Sequence, residues 1–411
     1  PTDATQVPLL LPRDILFDGA GNLFVADAGH ARIVKVDATG KLSLVVQFPF
    51  NPPSAPNPYP AGLAFWNGDV YVANGNAQTI VRVTGATGIV AGREFATCDY
   101  SSSTCGDGSA AVEAQFFFLG STGAPPLVGI EADANGLFIL DQGVLQRGRV
   151  RYLNLNSAVT TLAGVTINPG RIETLAGNGF GSPFDGGLAV SSVLNTPTGV
   201  ALDVNNNLWI SDSLNGRLRF VNRGSETVTI FPNTPAAQIV LPRSIVTINK
   251  DVGPGAIDGV PVTRASFETP QGLTISNQGV FVADSRQGPT VDGRRTGLLR
   301  FINTTPANVI FYPNSPKPLT VPPGNVLTIA GGGTNPDSSG DGGLALEAKF
   351  IAPSDVAVNP MNGDLYVADS GNKAVRKISS ATGRVSSLNL PPAQYTGLAF
   401  NGEARLFVVN A

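Results

Sequence analysis

Few side chains in this sequence could carry a reaction or hold a metal. Its 411 residues include one histidine and two cysteines. With His30 alone, no site built on several imidazoles can form. A Ser-His-Asp triad would have to use His30, which falls in a turn, where histidines are commonly solvated and idle. Cys98 and Cys105 lie close together in a chain that otherwise avoids cysteine. Its polar residues run to Asn, Thr and Ser, a composition suited to an oxidising, extracytoplasmic compartment, so a Cys98–Cys105 disulfide is expected. Closing so short a loop would contribute about 2–3 kcal/mol on the chain-entropy argument. No CxxC or CxxCH occurs, which excludes zinc knuckles and attached haem by spacing.

Among the carboxylates, Asp14 and Asp355 stand out by position. Each opens a short apolar phrase that elsewhere opens with Gly62, Gly129, Gly199, Gly272 or Gly397. Carboxylate and amide oxygens are ligands for a hard cation, so Asp14 and Asp355 are the candidate ligands for a calcium ion. The competing expectation is that each Asp caps its own turn, which Asp does well. Hard-cation sites also usually gather more than two such ligands. No other cofactor is expected.

The elements that would position these residues are repeated. A phrase of apolar, aromatic, apolar, small or apolar, then Asp or Asn ends at Asp27, Asn74, Asp141, Asp212, Asp284, Asp369 and Asn410. The Gly/Asp-led phrase precedes each copy, with turns such as Asn67-Gly68, Asn135-Gly136, Asn362-Gly363 and Asn401-Gly402 between. Asn-Gly accepts the positive φ of a tight hairpin, so each pair of phrases reads as a β-hairpin. A third strand follows most hairpins, as in RIVKVD from Arg32 and AVRKIS from Ala374, and a fourth follows that, as in NVLTIAG from Asn325. Four short strands per repeat without helical periodicity describe an all-β β-propeller. Seven blades are predicted in a single domain, 1–411. The last is incomplete, because only Ala411 follows Asn410, and residues 5–10 are the candidate strand to complete it. Six blades is the alternative.

The Asp or Asn closing each second strand recurs in every repeat, so a structural role is expected, accepting hydrogen bonds from the following turn. Asp-Gly loops at Asp107, Asp185, Asp258 and Asp341 lack the ligand spacing of an EF-hand and read as inter-blade turns. Between third and fourth strands, blades three to five carry extra segments at about 157–169, 227–242 and 308–323, predicted as added hairpins at the outer edge. Such an edge either invites a partner or is capped by the hairpin itself. One sequon, Asn303 to Thr305, is unsurprising in a chain of this length.

PSDVAVNPMNGDLYVADSGNKAVRKIS from Pro353 and PTGVALDVNNNLWISDSLNGRLRFVN from Pro197 resemble NHL repeats of bacterial and teneurin-like propellers, and the resemblance covers nearly the whole chain. It implies the propeller fold. Some propellers of related families are lyases or lactonases, and the calcium-dependent lactonases among them need only oxygen ligands. The resemblance therefore admits a calcium-dependent hydrolase with its site at the channel mouth. The poverty in histidine points instead to a non-enzymatic scaffold for protein or glycan, self-associating through outer blade edges.

Net charge is −3, with a sequence pI near 5.3, which argues against a nucleic-acid partner. No apolar run approaches a membrane span. With no signal peptide visible at Pro1, the chain reads as a mature or trimmed form of a secreted or surface protein.

Overall fold

The computed structural model describes residues 2–49, 58–98, 105–118, 129–143, 147–177, 185–249, 251–252, 257–285, 290–291, 294–334, 340–400 and 404–410. Within them the alternation of apolar phrases and turns becomes six antiparallel sheets of four main strands, two of them with a short fifth strand added, beside smaller two-stranded sheets. This is the β-propeller arrangement, with each of the six large sheets a blade.

The first blade holds Pro12–Phe17, Leu23–Asp27, Arg32–Val36 and Lys41–Gln47. The second holds Pro60–Trp66, Asp69–Asn74, Thr79–Arg82 and Gly88–Ala91, and the third Ile130–Ala132, Gly136–Asp141, Arg149–Asn154 and Ile172–Gly177. The fourth is built from Pro197–Leu202, Leu208–Asp212, Arg217–Val221 and Ile245–Thr247. The fifth has Pro270–Ile275, Gly279–Asp284, Leu298–Asn303 and Asn325–Gly331, and the sixth Pro353–Val358, Leu365–Asp369, Ala374–Ile378 and Val385–Ser387. The final sheet is the hairpin Tyr395–Phe400 with Leu406–Asn410. Asn67 and Gly68 take φ of 48° and 89°, the left-handed pair that the Asn-Gly turn requires.

The full blades number six, the alternative that the sequence offered, and the seventh repeat contributes two paired strands among the described residues. One expectation about that repeat is corrected. The N-terminal segment does not complete it: Thr2–Asp3 pairs with Leu42 and Lys41 on the outer edge of the first blade, and a 3-10 turn follows at Ala4–Gln6. The extended-strand reading of residues 5–10 failed because a fourth strand with an open edge lay close in sequence.

The chain divides into two compact units, residues 1–198 with 223–225 and 411, and residues 199–222 with 226–410. In each, consecutive blades bury their apolar faces against one another. In the first unit, Phe24 and Ile33 pack with Val70 and Val72, while Tyr71 and Ile80 pack with Leu137 and Leu153. In the second, Trp209 and Phe220 meet Val280 and Ile302, and Phe281 and Phe301 meet Val356 and Val367. Side chains of this size contribute about 1.5–3 kcal/mol each when fully buried. That burial explains second strands apolar on both faces.

The three added segments are hairpins: Thr160–Leu162 with Val165–Ile167, Val228–Ile230 with Gln238–Val240, and Val309–Phe311 with Leu319–Val321. One buried Asn clamps each. Nδ2 of Asn154 donates to the carbonyls of Ala158 and Ile167, that of Asn222 to Glu226 and Val240, and that of Asn303 to Ala307 and Val321.

Candidate functional site

Asp14 and Asp355 hold neighbouring first strands together. Asp14 Oδ1 accepts the Ile15 N–H at 2.8 Å, and its Oδ2 accepts the Leu63 N–H of the next blade at 2.7 Å. Asp355 repeats this with Val356 N–H at 2.8 Å and Leu398 N–H at 2.9 Å. The Gly alternatives follow from close approach. A Cβ on Gly272 would stand 2.7 Å from Asp355 Oδ1 and from the Ser354 carbonyl. Burial pushes the Asp355 carboxyl up to about 6, against the pull of its two N–H donors. Asp14 belongs to the first unit and Asp355 to the second, and each carboxylate serves its own inter-blade contact. Among the described residues no group of three or more His, Cys, Asp or Glu side chains is placed to hold a metal ion.

His30 is part of the same economy. Its Nδ1 lies 2.9 Å from Asp27 Oδ2, in the turn after the second strand. The matching turns use Asn215 on Asp212 and Asn372 on Asp369, so the imidazole takes a position that an amide fills elsewhere. The strand-ending acids bind backbone as expected, but on the other side. Asp27 Oδ1 accepts Leu10 N–H, Asp141 Oδ1 accepts Phe117 N–H, and Asp369 Oδ1 accepts Ile351 N–H, all from the segment before the blade's first strand. Side chains of the following turn and third-strand arginines such as Arg32 and Arg376 join them. A disulfide joins Cys98 and Cys105, with Cα atoms 5.4 Å apart and both residues buried.

The Asp-Gly loops have a role that the sequence reading missed. Asp107, Asp258 and Asp341 each bond a wholly buried Arg in the third strand of the blade that follows. The pairs are Arg151–Asp107 at 2.6 Å, Arg300–Asp258 at 2.8 Å and Arg376–Asp341 at 2.8 Å. Nine positions after each Asp comes a Phe over which the same guanidinium sits, Phe116, Phe267 and Phe350, at 5.0, 4.6 and 5.8 Å. The strand-ending acid is also near, Asp369 at 3.2 Å from Arg376 and Asp141 at 3.8 Å from Arg151. A buried Arg needs this much company. The signal was available: where blades three to six have Arg151, Arg219, Arg300 and Arg376, the cross-strand position in blades one and two is Val34 or Val81. Only the blades with Arg follow an Asp-Gly loop.

Residues 350–378 match the NHL repeat. The match runs from Phe350 under the Arg376 guanidinium to the end of the third strand. Beyond this NHL repeat, the chain is similar to teneurin-1 of Mus musculus, 26% identical over 318 residues, covering 74% of this chain and 9% of that protein. Teneurin-3 of Danio rerio is 24% identical over 412 residues, covering 95% of this chain and 13% of that protein. The chain thus spans about a tenth of the length of these relatives. Among solved structures, virginiamycin B lyase from Staphylococcus aureus superposes with a TM-score of 0.50 at 12% identity, covering 97% of this chain and 91% of that one, a likeness of fold.

Proposed function

We propose that this chain is a single propeller domain, 1–411, of a secreted or cell-surface protein. It acts as a non-enzymatic scaffold that binds protein or glycan and associates with its own copies through outer blade edges. The observation that carries the reading is the employment of the reactive residues: His30, Asp14 and Asp355 each support a turn or an inter-blade contact. The disulfide and the teneurin relatives support the extracellular location.

Which edges are available is restricted. Short segments cover the outer strands of four blades: Thr2–Asp3 on the first, Ala110 on the third, Val260–Pro261 on the fifth and Leu344 on the sixth. Among the described residues, no such segment pairs with Gly88–Ala91. The added hairpins present Ile239, 70% exposed, and Ile310, 58% exposed. Exposed β-branched side chains on added outer hairpins are where sheets pair between molecules.

A calcium-dependent hydrolase centred on Asp14 and Asp355 is the rival. Melting curves with calcium and then chelator, run beside a lactone-hydrolysis assay, separate the two. A scaffold shows no turnover and an unchanged midpoint. A calcium site raises the midpoint by mass action, and that rise with turnover would overturn the proposal.

A further inference from the structure

The added hairpins differ in how they are latched, and a cavity lies beside the one whose latch is missing. Each carries a residue of positive φ just after its first strand or at its turn: Ala163 at 46°, Phe231 at 51° and Tyr312 at 57°. Ala163 N–H donates to the Arg223 carbonyl and Tyr312 N–H to the Ser380 carbonyl, both at 3.2 Å, latching those hairpins to the chain just past the next third strand. Asn314 N–H adds a bond to Ala381, and the Tyr312 hydroxyl donates to the Ile329 carbonyl, so that groove is filled. For the hairpin of blade four the matching acceptor is Thr304, and no backbone hydrogen bond joins Phe231 to it. There a cavity of about 390 Å³ lies between blades four and five, wholly within the second unit. That volume falls in the range of small-ligand sites.

Trp209, Phe220 and Phe231 line it from the core. Trp209 is only 4% exposed, and its indole N–H has no hydrogen-bond partner. That N–H is itself covered, so Trp209 offers the cavity its ring. The other polar lining is neutral. Asn205 and Asn277 bring amides, and Thr229 and Thr304 bring hydroxyls. The one carboxylate, Asp203, is already held by the N–H groups of Asn205 and Asn207. An anionic ligand would be desolvated there without a counter-charge. A sugar ring fits this chemistry, with an apolar face for the aromatic wall and hydroxyls for the amides and the threonine hydroxyls.

We infer that the cavity between blades four and five, beside the unlatched hairpin 228–240, binds a neutral sugar residue. The inference rests on the scaffold reading and names its ligand class.

The chain has two tryptophans, so Trp66→Phe leaves Trp209 as the sole indole reporter. Galactose, glucose and N-acetylglucosamine are titrated in turn, with a proline-rich peptide as comparison, and calorimetry on the unmodified chain gives an independent reading. A saturable change in Trp209 emission with at least one sugar is expected, with Kd on the order of 1 mM. Thr304→Phe, at the exposed mouth, abolishes it without moving the melting point, and Trp209→Phe weakens binding about tenfold by calorimetry. No saturable response to any of the sugars, a response to the peptide alone, or sugar binding that survives Thr304→Phe overturns the inference. Loss of sugar binding with self-association retained leaves the scaffold reading in place.

Discussion

A carboxylate buried against two backbone N–H groups has a measurable signature. Asp355, Asp141, Asp284 and Asp369 all have carboxyls pushed up to about 6, with burial the largest cause in each. The native state therefore holds these protons to higher pH than the unfolded chain, whose carboxyls titrate near the ordinary value. Between the two values the folded form binds more protons, so stability falls as pH rises. Thermal melting should show a midpoint that is higher near pH 4 than near pH 7, declining mostly up to pH 6. Asp355→Asn, lacking the titration, should decline less over the same window. A midpoint that rises from pH 4 to pH 7 in both proteins would refute this assignment.

The guanidinium clusters make a second claim at this scale. Removing one partner of a buried pair strands the other, so Arg300→Ala should cost about 3–5 kcal/mol by denaturant unfolding. Arg82, 32% exposed at its side chain in an exposed-edge pair with Asp69, should cost no more than about 1 kcal/mol when replaced by Ala. The buried Asn303 offers a negative test. Its Nδ2 is committed to the Ala307 and Val321 carbonyls, so folded chain from a glycosylating host should carry no glycan there by mass spectrometry. Of these residues the sequence announced positions but not partners. Asp107 and Arg151 lie 44 residues apart, and only the folded loop joins them. The rule was nevertheless written in the sequence, as Arg in place of Val wherever an Asp-Gly loop precedes.

At the scale of the element, hairpins were legible because apolar alternation and Asn-Gly turns are local. The added hairpins were legible for the same reason. Their clamp was also present in the sequence, since Asn154, Asn222 and Asn303 close the third-strand phrase only in blades bearing the extra segment, against Asp37, Thr84 or Ser379 elsewhere. Asn222→Ala removes two hydrogen bonds and leaves two carbonyls to water, a cost of about 2 kcal/mol. Hydrogen exchange should show faster exchange across 228–240 with the neighbouring strands unchanged; global unfolding instead would mean that the hairpin is integral to the blade. What the sequence could not show was pairing set by competition. Thr2–Asp3 found the edge of the first blade, a few dozen residues away, and left the terminal hairpin with its own two strands.

For the molecule as a whole, repetition carried the fold while singular residues carried little of the function. Six similar sheets can be inferred from one recurring phrase, because each copy buries its faces on the next. The candidate calcium ligands were legible only as exceptions to that phrase, and an exception in sequence proved to be a backbone clamp in each unit. The cavity of blade four lies beside an unmade bond, and no motif encodes an absence. The scaffold reading turns on whether copies meet through the outer blade edges and their added hairpins. The most direct test is light scattering over a broad concentration range, comparing the chain with the double variant Ile239→Lys, Ile310→Lys. The mass of the unmodified chain should climb with concentration while the variant stays at 42.4 kDa with its melting point intact. An unmodified chain that remains a monomer at every concentration would contradict the claim.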